Sequence, residues 1–240
     1  MRALITGAAG VYGRELAKAF AREGYDLVLT DYRADAVGKV AAEHGAQAIA
    51  CELTDAADIV RMAEATIAGG IPDVVVSNAG IYPFGGLLDT DIATYDRIMD
   101  VNVRAGFVLT QRIARAMIEA GRKGSFIYIG SSAAELVRRN GIVYCASKRA
   151  LDWLVKGMAL DLAPHGIRCN EVAPGFAPGS TEVEMPPEHE ATIRRQSPMG
   201  RPPEPWEMTE AVLFLASDKA RSITGTRISV DAGGGIPRRA

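Results

Sequence analysis

Cysteine, histidine and net charge are all scarce in this chain. Three cysteines (Cys51, Cys145 and Cys169) are scattered over 240 residues. So odd and sparse a set argues against a disulfide framework, and the three distant histidines (His44, His165, His189) have no metal-ligand spacing. We expect no metal site and a reducing compartment. The formal net charge is -2, and no basic run exceeds a pair such as Arg138-Arg139. Nothing here steers the protein to nucleic acid or to an anionic membrane surface. No apolar stretch approaches the ~20 residues that span a bilayer. Met1–Ile5 runs into Thr6-Gly7 too soon to form the core of a secretory signal. The expectation is a soluble, cytoplasmic protein. Low-complexity tracts are absent too, and no repeat exceeds a strand–helix unit.

What the chain does have is apolar surface: 48% hydrophobic against 23% charged residues suits a packed core and excludes disorder. Its apolar residues alternate between short runs and longer amphipathic stretches. Ala3–Thr6, Asp26–Thr30, Gln47–Ala50, Asp73–Ser77, Ser125–Ile129, Arg168–Val172 and Arg227–Val230 read as strands. Arg14–Glu23, Ala34–Glu43, Ala56–Ala68, Ile92–Ala120, Val143–Ala163 and Trp206–Ser217 carry helical spacing. The strands of the first half are continuous hydrophobic runs, the mark of a parallel sheet covered on both faces. Strand–helix alternation over residues 1–240 predicts one α/β domain with a doubly wound, Rossmann-type sheet. Residues 174–205 break the pattern: eight of the twelve prolines fall there, with Glu182, Glu184, Glu188 and Glu190. A lid or substrate loop at about 176–205 is the expectation.

Two features point to a dinucleotide. Thr6-Gly7-Ala8-Ala9-Gly10-Val11-Tyr12-Gly13 joins the first strand to the first helix. Glycines there let backbone approach a pyrophosphate, and the helix start offers free N–H groups. Asp31 follows the second strand, where a carboxylate accepts bonds from ribose hydroxyls and repels a 2′-phosphate. That favours NAD over NADP, although Arg33 close by could accommodate a phosphate and Asp31 could be a plain turn residue.

A second group points to proton transfer. Tyr144 and Lys148 stand four apart at the start of a predicted helix and so share one face. A phenol with pKa near ~10 is a poor base at neutral pH. An ammonium at ~4 Å in an effective dielectric of ~20 would favour the phenolate by roughly 4 kcal/mol, about three pKa units. Ser131 and Ser132 end a predicted strand, where open α/β sheets place ligands. Alone, Tyr144 would read as a packed helix tyrosine.

Taken in order, these segments resemble the short-chain dehydrogenase/reductase family, in its compact single-domain branch. The resemblance runs over essentially the whole chain, through Thr6–Gly13, Ser77-Asn78-Ala79-Gly80, Val101-Asn102-Val103, Ser131, Tyr144-Cys145-Ala146-Ser147-Lys148, Pro174-Gly175, Ile223-Thr224-Gly225 and Asp231-Ala232-Gly233-Gly234. It implies a seven-stranded parallel sheet, an NAD(P) cofactor and a catalytic set of Asn102, Ser131, Tyr144 and Lys148. Tyr144 would shuttle the proton and Ser131 would hold the substrate oxygen. Lys148 would bind the nicotinamide ribose and depress the Tyr144 pKa, and Asn102 would hold a water linking Lys148 to solvent. The cofactor would be met by Gly7, Gly10, Val11, Tyr12, Gly13, Asp31, Glu52, Leu53, Asn78, Ala79, Gly80, Tyr144, Lys148, Pro174, Gly175 and Phe176. A homotetramer or homodimer is implied as well, built through the helix carrying Tyr144. The sequence departs from the pattern at Val11 (usually glycine), Glu52 (usually aspartate), Ser77 (often asparagine) and Gly179 (usually threonine, with Ser180 and Thr181 just beyond).

The expected activity is hydride transfer between NAD(H) and a secondary alcohol or ketone, such as a polyol, hydroxy acid or cyclic alcohol. A reductase of acyl-carrier thioesters and a non-catalytic dinucleotide sensor are the competing readings. Tyr82, Ala133, Arg138, Arg139, Val143 and the 176–200 lid are candidates to line the substrate; Arg138 or Arg139 could attract an acidic substrate, with solvated surface or a subunit contact the weightier reading. Cys145 reads as a buried small apolar residue rather than a reactive thiol.

Overall fold

The computed structural model describes residues 1–83, 85–176, 194–195 and 197–236. Its strands are β1 (Arg2–Thr6), β2 (Asp26–Asp31), β3 (Gln47–Ala50), β4 (Val74–Ser77), β5 (Gly124–Ile129), β6 (Ile167–Pro174) and β7 (Arg227–Val230). The helices are α1 (Val11–Arg22), α2 (Ala34–His44), α3 (Ala56–Ala68), α4 (Ile92–Met99), α5 (Ala105–Glu119), α6 (Ile142–Leu162) and α7 (Pro205–Ala216). Among the described residues, all seven strands form one parallel sheet in the order β3-β2-β1-β4-β5-β6-β7.

Successive strand residues point to opposite faces, and here each face meets a helical layer. Ala3, Ile5, Leu27, Leu29, Val74, Val76 and Ile127 pack with Leu16 and Phe20 of α1 and Val212 and Leu215 of α7. Leu4, Val28, Val75, Phe126 and Tyr128 pack with Ile59 of α3, Ile113 of α5 and Val155 of α6. That double burial is why the strands read as unbroken apolar runs. Truncating a buried leucine such as Leu16 to alanine costs about 2–5 kcal/mol. The exception is β3, an edge strand with three of four residues exposed, and its sequence signal is correspondingly weak.

Two differences from the sequence expectation position the site. The helix expected over 92–120 is not continuous, because a π-helical turn at Asp100–Arg104 separates α4 from α5. Such turns add one residue within a helix that otherwise keeps helical backbone, so the segment still reads as helical. The sixth strand runs two residues past Val172. Its pairing with β7 continues to Pro174↔Val230, and Gly175 N donates to the Val230 carbonyl at 2.9 Å. Pro174 thereby closes the strand end beside the cleft. The chain winds outward from β1 to β3 and then returns to β4 on the other side of β1. This reversal opens a crevice at the carboxyl ends of β1 and β4, where such sheets take ligands. Most of the expected lid, 177–193, lies outside the described residues, as do Gly179, Ser180 and Thr181.

Candidate active site

The glycine-rich turn is built by steric necessity. Gly7 has φ +63°, and a Cβ there would lie 2.8 Å from the Ala79 Cα. A Cβ on Gly13 would lie 2.1 Å from the Gly7 carbonyl oxygen, so α1 packs directly onto the turn. Gly10 is different: its nearest neighbour would be 3.4 Å away, and it faces the cleft. Val11 begins α1 and is not among the residues with positive φ, so the reshaped turn accepts it without strain. The first turn of α1 carries no acidic residue, which leaves its positive dipole end open to an anion.

Asn78 braces this turn. Its Nδ2 donates to the carbonyls of Thr6 (2.9 Å) and Gly7 (3.1 Å), and its N–H donates to Thr6 Oγ1 at 3.0 Å. Gly7, Gly10, Val11, Tyr12, Gly13, Asp31, Glu52, Leu53, Asn78, Ala79 and Gly80 all line one trough above β1, β2 and β4. Asp31 is buried at its wall. Its Oδ2 accepts from the Ala9 N–H (3.1 Å), and its Oδ1 accepts from the N–H and Nε of Arg33 (3.1 Å each). Arg33 is thus tied to the carboxylate. The Glu52 carboxylate accepts from Thr54 N (3.0 Å) and Thr54 Oγ1 (2.9 Å). Tyr32, Cys51, Ile81, Arg97 and Val101 complete the trough. They belong to separate segments, and no local pattern in the sequence announced them.

Sharing Tyr12, Asn78, Gly80 and Ile81 with this trough is a second chamber, lined also by Tyr82, Ile129, Gly130, Ser131, Arg138, Arg139, Tyr144, Lys148, Pro174, Gly175 and Phe176. The two form one continuous groove. Ser131 follows β5, and its Oγ accepts from the Ala133 N–H at 3.1 Å and hydrogen-bonds the Tyr144 hydroxyl. The Tyr144 ring lies 5.3 Å from the Tyr82 ring, centre to centre. Lys148 is buried one helical turn on, and its Nζ donates to the Ile129 carbonyl at 2.8 Å. Asn102 lies behind the groove in the π turn. Its Oδ1 accepts from Ile81 N (2.9 Å), and its Nδ2 donates to Ile81 O (2.9 Å) and Ser147 Oγ (3.0 Å). The side chain expected to hold a water therefore ties three elements together. Ala133 and Val143, by contrast, are absent from the groove lining.

The electrostatics differ from the sequence expectation at one point. Burial pushes the Tyr144 phenol above its usual range, and this outweighs the Ser131 hydrogen bond and the charge of Arg138. The Lys148 ammonium stands 5.9 Å from the ring centre and is turned to the Ile129 carbonyl, so burial and not this cation dominates the phenol. Burial also brings Lys148 itself down to about 8, against the opposing charge of Glu171.

A family model described as "Enoyl-(Acyl carrier protein) reductase" matches residues 7–234, nearly the whole chain. The chain belongs to the short-chain dehydrogenase/reductase family. As a member it is an NAD(P)-dependent oxidoreductase of CH–OH and C=O groups, acting on a secondary alcohol or ketone. It is similar to galactitol 2-dehydrogenase (L-tagatose-forming) of Cereibacter sphaeroides, 36% identical with 96% of this chain and 93% of that one covered. It is also similar to sorbitol dehydrogenase of the same organism, 34% identical with 96% of each covered. The crystal structure of a short-chain type dehydrogenase/reductase from Mycobacterium marinum superposes with a TM-score of 0.89 at 34% identity, covering 98% of this chain and 95% of that one. Among the described residues no helix is long and apolar enough to cross a membrane, and no cluster of potential metal ligands occurs.

Proposed function

We propose that this short-chain dehydrogenase/reductase interconverts a small secondary alcohol and its ketone with NAD(H), through Tyr144. The observation that carries the reading is the convergence of Tyr144, Ser131 and Lys148 on one chamber continuous with a groove shaped for a dinucleotide. Gly7 and Gly13 let the turn close on Ala79 and on α1, and Gly10 leaves bare backbone and a helix start facing the cleft, where a pyrophosphate would lie. NAD, once bound, supplies the hydride acceptor or donor.

Ser131 Oγ, hydrogen-bonded to Tyr144, holds the substrate oxygen between them. In reduction the Tyr144 hydroxyl donates its proton to that oxygen, and the raised phenol pKa keeps the proton available at neutral pH. In oxidation the phenolate accepts the proton, which calls for alkaline pH or added positive charge nearby. Lys148, in the wall of the same chamber, would hold the nicotinamide ribose. Asn102 is a positioning residue: its bonds to Ile81 and Ser147 fix the π turn, and such a turn leaves a backbone carbonyl without a helical partner for a water.

Asp31 supports NAD over NADP. Its carboxylate has acceptor capacity left for ribose hydroxyls, and it occupies the guanidinium of Arg33 that would otherwise meet a phosphate. The names of the two Cereibacter relatives make a polyol the first substrate class to try. We further propose a cytoplasmic homo-oligomer, in keeping with three free cysteines and with Trp153 (67% exposed) and Leu160 (77% exposed) a heptad apart on α6. Tyr144→Phe keeps the ring and removes the proton. It should lower kcat/KM by about 10²–10⁴-fold in assays that follow reduced nicotinamide. Unchanged turnover in that variant would refute the assignment.

A further inference from the structure

We infer that Arg138 and Arg139 form a subsite for an anionic substituent of the substrate, a carboxylate or a phosphate, beside Tyr144. The inference rests on the oxidoreductase reading above and deepens it. Both arginines line the chamber that holds Tyr144, Ser131 and Lys148, and no aspartate or glutamate is among the described residues lining it. A cleft with positive side chains and no carboxylate attracts the opposite charge.

The arginines are also held in place. Their backbone lies in a turn that Gly141 N closes on the Arg138 carbonyl at 3.2 Å. The Asn140 carbonyl, on a residue with φ +59°, accepts from Gly85 N at 2.9 Å, which ties the turn to the segment after β4. Buried Cys145 completes the anchor: its Sγ accepts from Arg138 N at 3.4 Å and contacts the Leu136 carbonyl at 3.7 Å. This gives the cysteine beside the reactive tyrosine a packing role.

Neither guanidinium is neutralised by an acidic side chain among the described residues. Arg138 makes one long side-chain contact, Nη2 to Ser132 Oγ at 3.4 Å. Its charge nonetheless reaches the reaction centre, since it lowers the phenol pKa of both Tyr144 and Tyr82. An arginine presents a planar fork of donors that fits carboxylate or phosphate oxygens, and two in sequence offer more donors than one anion uses. The substrate that fits is a hydroxy or keto compound carrying its anion a few bonds from the reacting carbon.

The test is calorimetric titration of the NADH-loaded protein with gluconate, 3-hydroxybutyrate, glycerol 3-phosphate and neutral sorbitol. Wild type and an Arg138→Ala/Arg139→Ala double variant are compared. At least one anion should bind about tenfold to a hundredfold more tightly than sorbitol, and the double variant should lose that difference. Tightening confined to glycerol 3-phosphate identifies phosphate as the source, and tightening confined to the acids identifies carboxylate. Raising the salt from 50 to 500 mM should weaken the anions and leave sorbitol unchanged. Equal binding of anions by wild type and variant overturns the subsite, as does sorbitol binding as tightly as every anion. Turnover separates the two claims. If Tyr144→Phe abolishes oxidation while the double variant behaves as wild type, the oxidoreductase reading stands and the anion subsite falls.

Discussion

Glu171 should make this protein lose stability as pH rises through the acid-to-neutral range, against the trend usual for carboxylates. The side chain is fully buried in β6. Its Oε1 accepts from Arg227 Nε at 3.2 Å, and its Oε2 has no hydrogen-bond partner among the described residues. It is packed so closely under the backbone that a Cβ on Gly130 would lie 1.8 Å from Oε1. Burial, with the like charge of Asp152, brings its pKa from 4.5 up to about 7, against the opposing charges of Arg227 and Lys148. For an acid whose folded pKa is raised, the unfolded chain releases the proton first. The contribution of Glu171 to stability is therefore greatest below pH ~4.5, falls as the pH rises to ~7, and then levels off. A shift of about 2.5 units corresponds to about 3 kcal/mol. In a chain of this size that is roughly 6–12 °C in Tm. Other perturbed groups act outside this window. Glu207, held near 2 by Arg201, contributes its change between pH ~2 and ~4.5, and Lys148, near 8, contributes between ~8 and ~10.5. Glu171→Gln keeps the Oε1 acceptor for Arg227 and is neutral throughout, so its cost is a constant offset. Thermal unfolding of wild type and variant from pH 4.5 to 8, under matched salt, should give curves that diverge at low pH and converge or cross above 7. Parallel curves would refute the reasoning.

Four further outcomes are expected. Asp31→Ala should release Arg33 and raise the NADP-to-NAD ratio of kcat/KM by about tenfold to a hundredfold, read from initial rates with each cofactor. The rate of alcohol oxidation should climb with pH past neutrality while ketone reduction falls, because the buried phenol holds its proton above the usual range; paired pH–rate profiles would show it. Trp153→Glu/Leu160→Glu should reduce the mass measured by light scattering to that of one chain while the circular dichroism stays that of the wild type. Gly13→Ala should abolish NADH binding by fluorescence titration and lower Tm, since its methyl would overlap the Gly7 carbonyl.

The sequence showed most of the scaffold because its strands are buried on both faces and its helices on one. Gln47–Ala50, Ala56–Ala68 and Arg227–Val230 fall on β3, α3 and β7 to the residue. Glycine placement was legible for the same reason, as Gly7 and Gly13 answer to contacts of less than 3 Å. The π turn at Asp100–Arg104 was not legible, because one residue inserted into a helix leaves no composition signal. Arg138 and Arg139 were legible as candidates to line the substrate, but what holds them there was not. Their side chains are exposed, and only the anchor through Gly85 and Cys145 turns them to the chamber of Tyr144. Glu171 carries no signal of its own within the strand Arg168–Val172. The accommodation for it lies on a neighbouring strand, as the missing side chain of Gly130.

The relation between Tyr144 and Lys148 shows where spacing stops being informative. Four residues of helix put both on one face, but spacing does not say what the ammonium bonds to. It bonds to the Ile129 carbonyl at the end of β5. Two residues on, the Ser131 carbonyl accepts from Arg227 Nη2 at 3.0 Å, and Glu171 holds that same arginine from below. The end of β5 is thus pinned by a cation from α6 on one side and a cation from β7 on the other. Ser131 meets the Tyr144 hydroxyl because three strands fix where β5 stops, while burial sets the proton affinity of the phenol. Helix spacing selects which residues can meet; the β5–β6–β7 ladder and its buried charges decide how they meet.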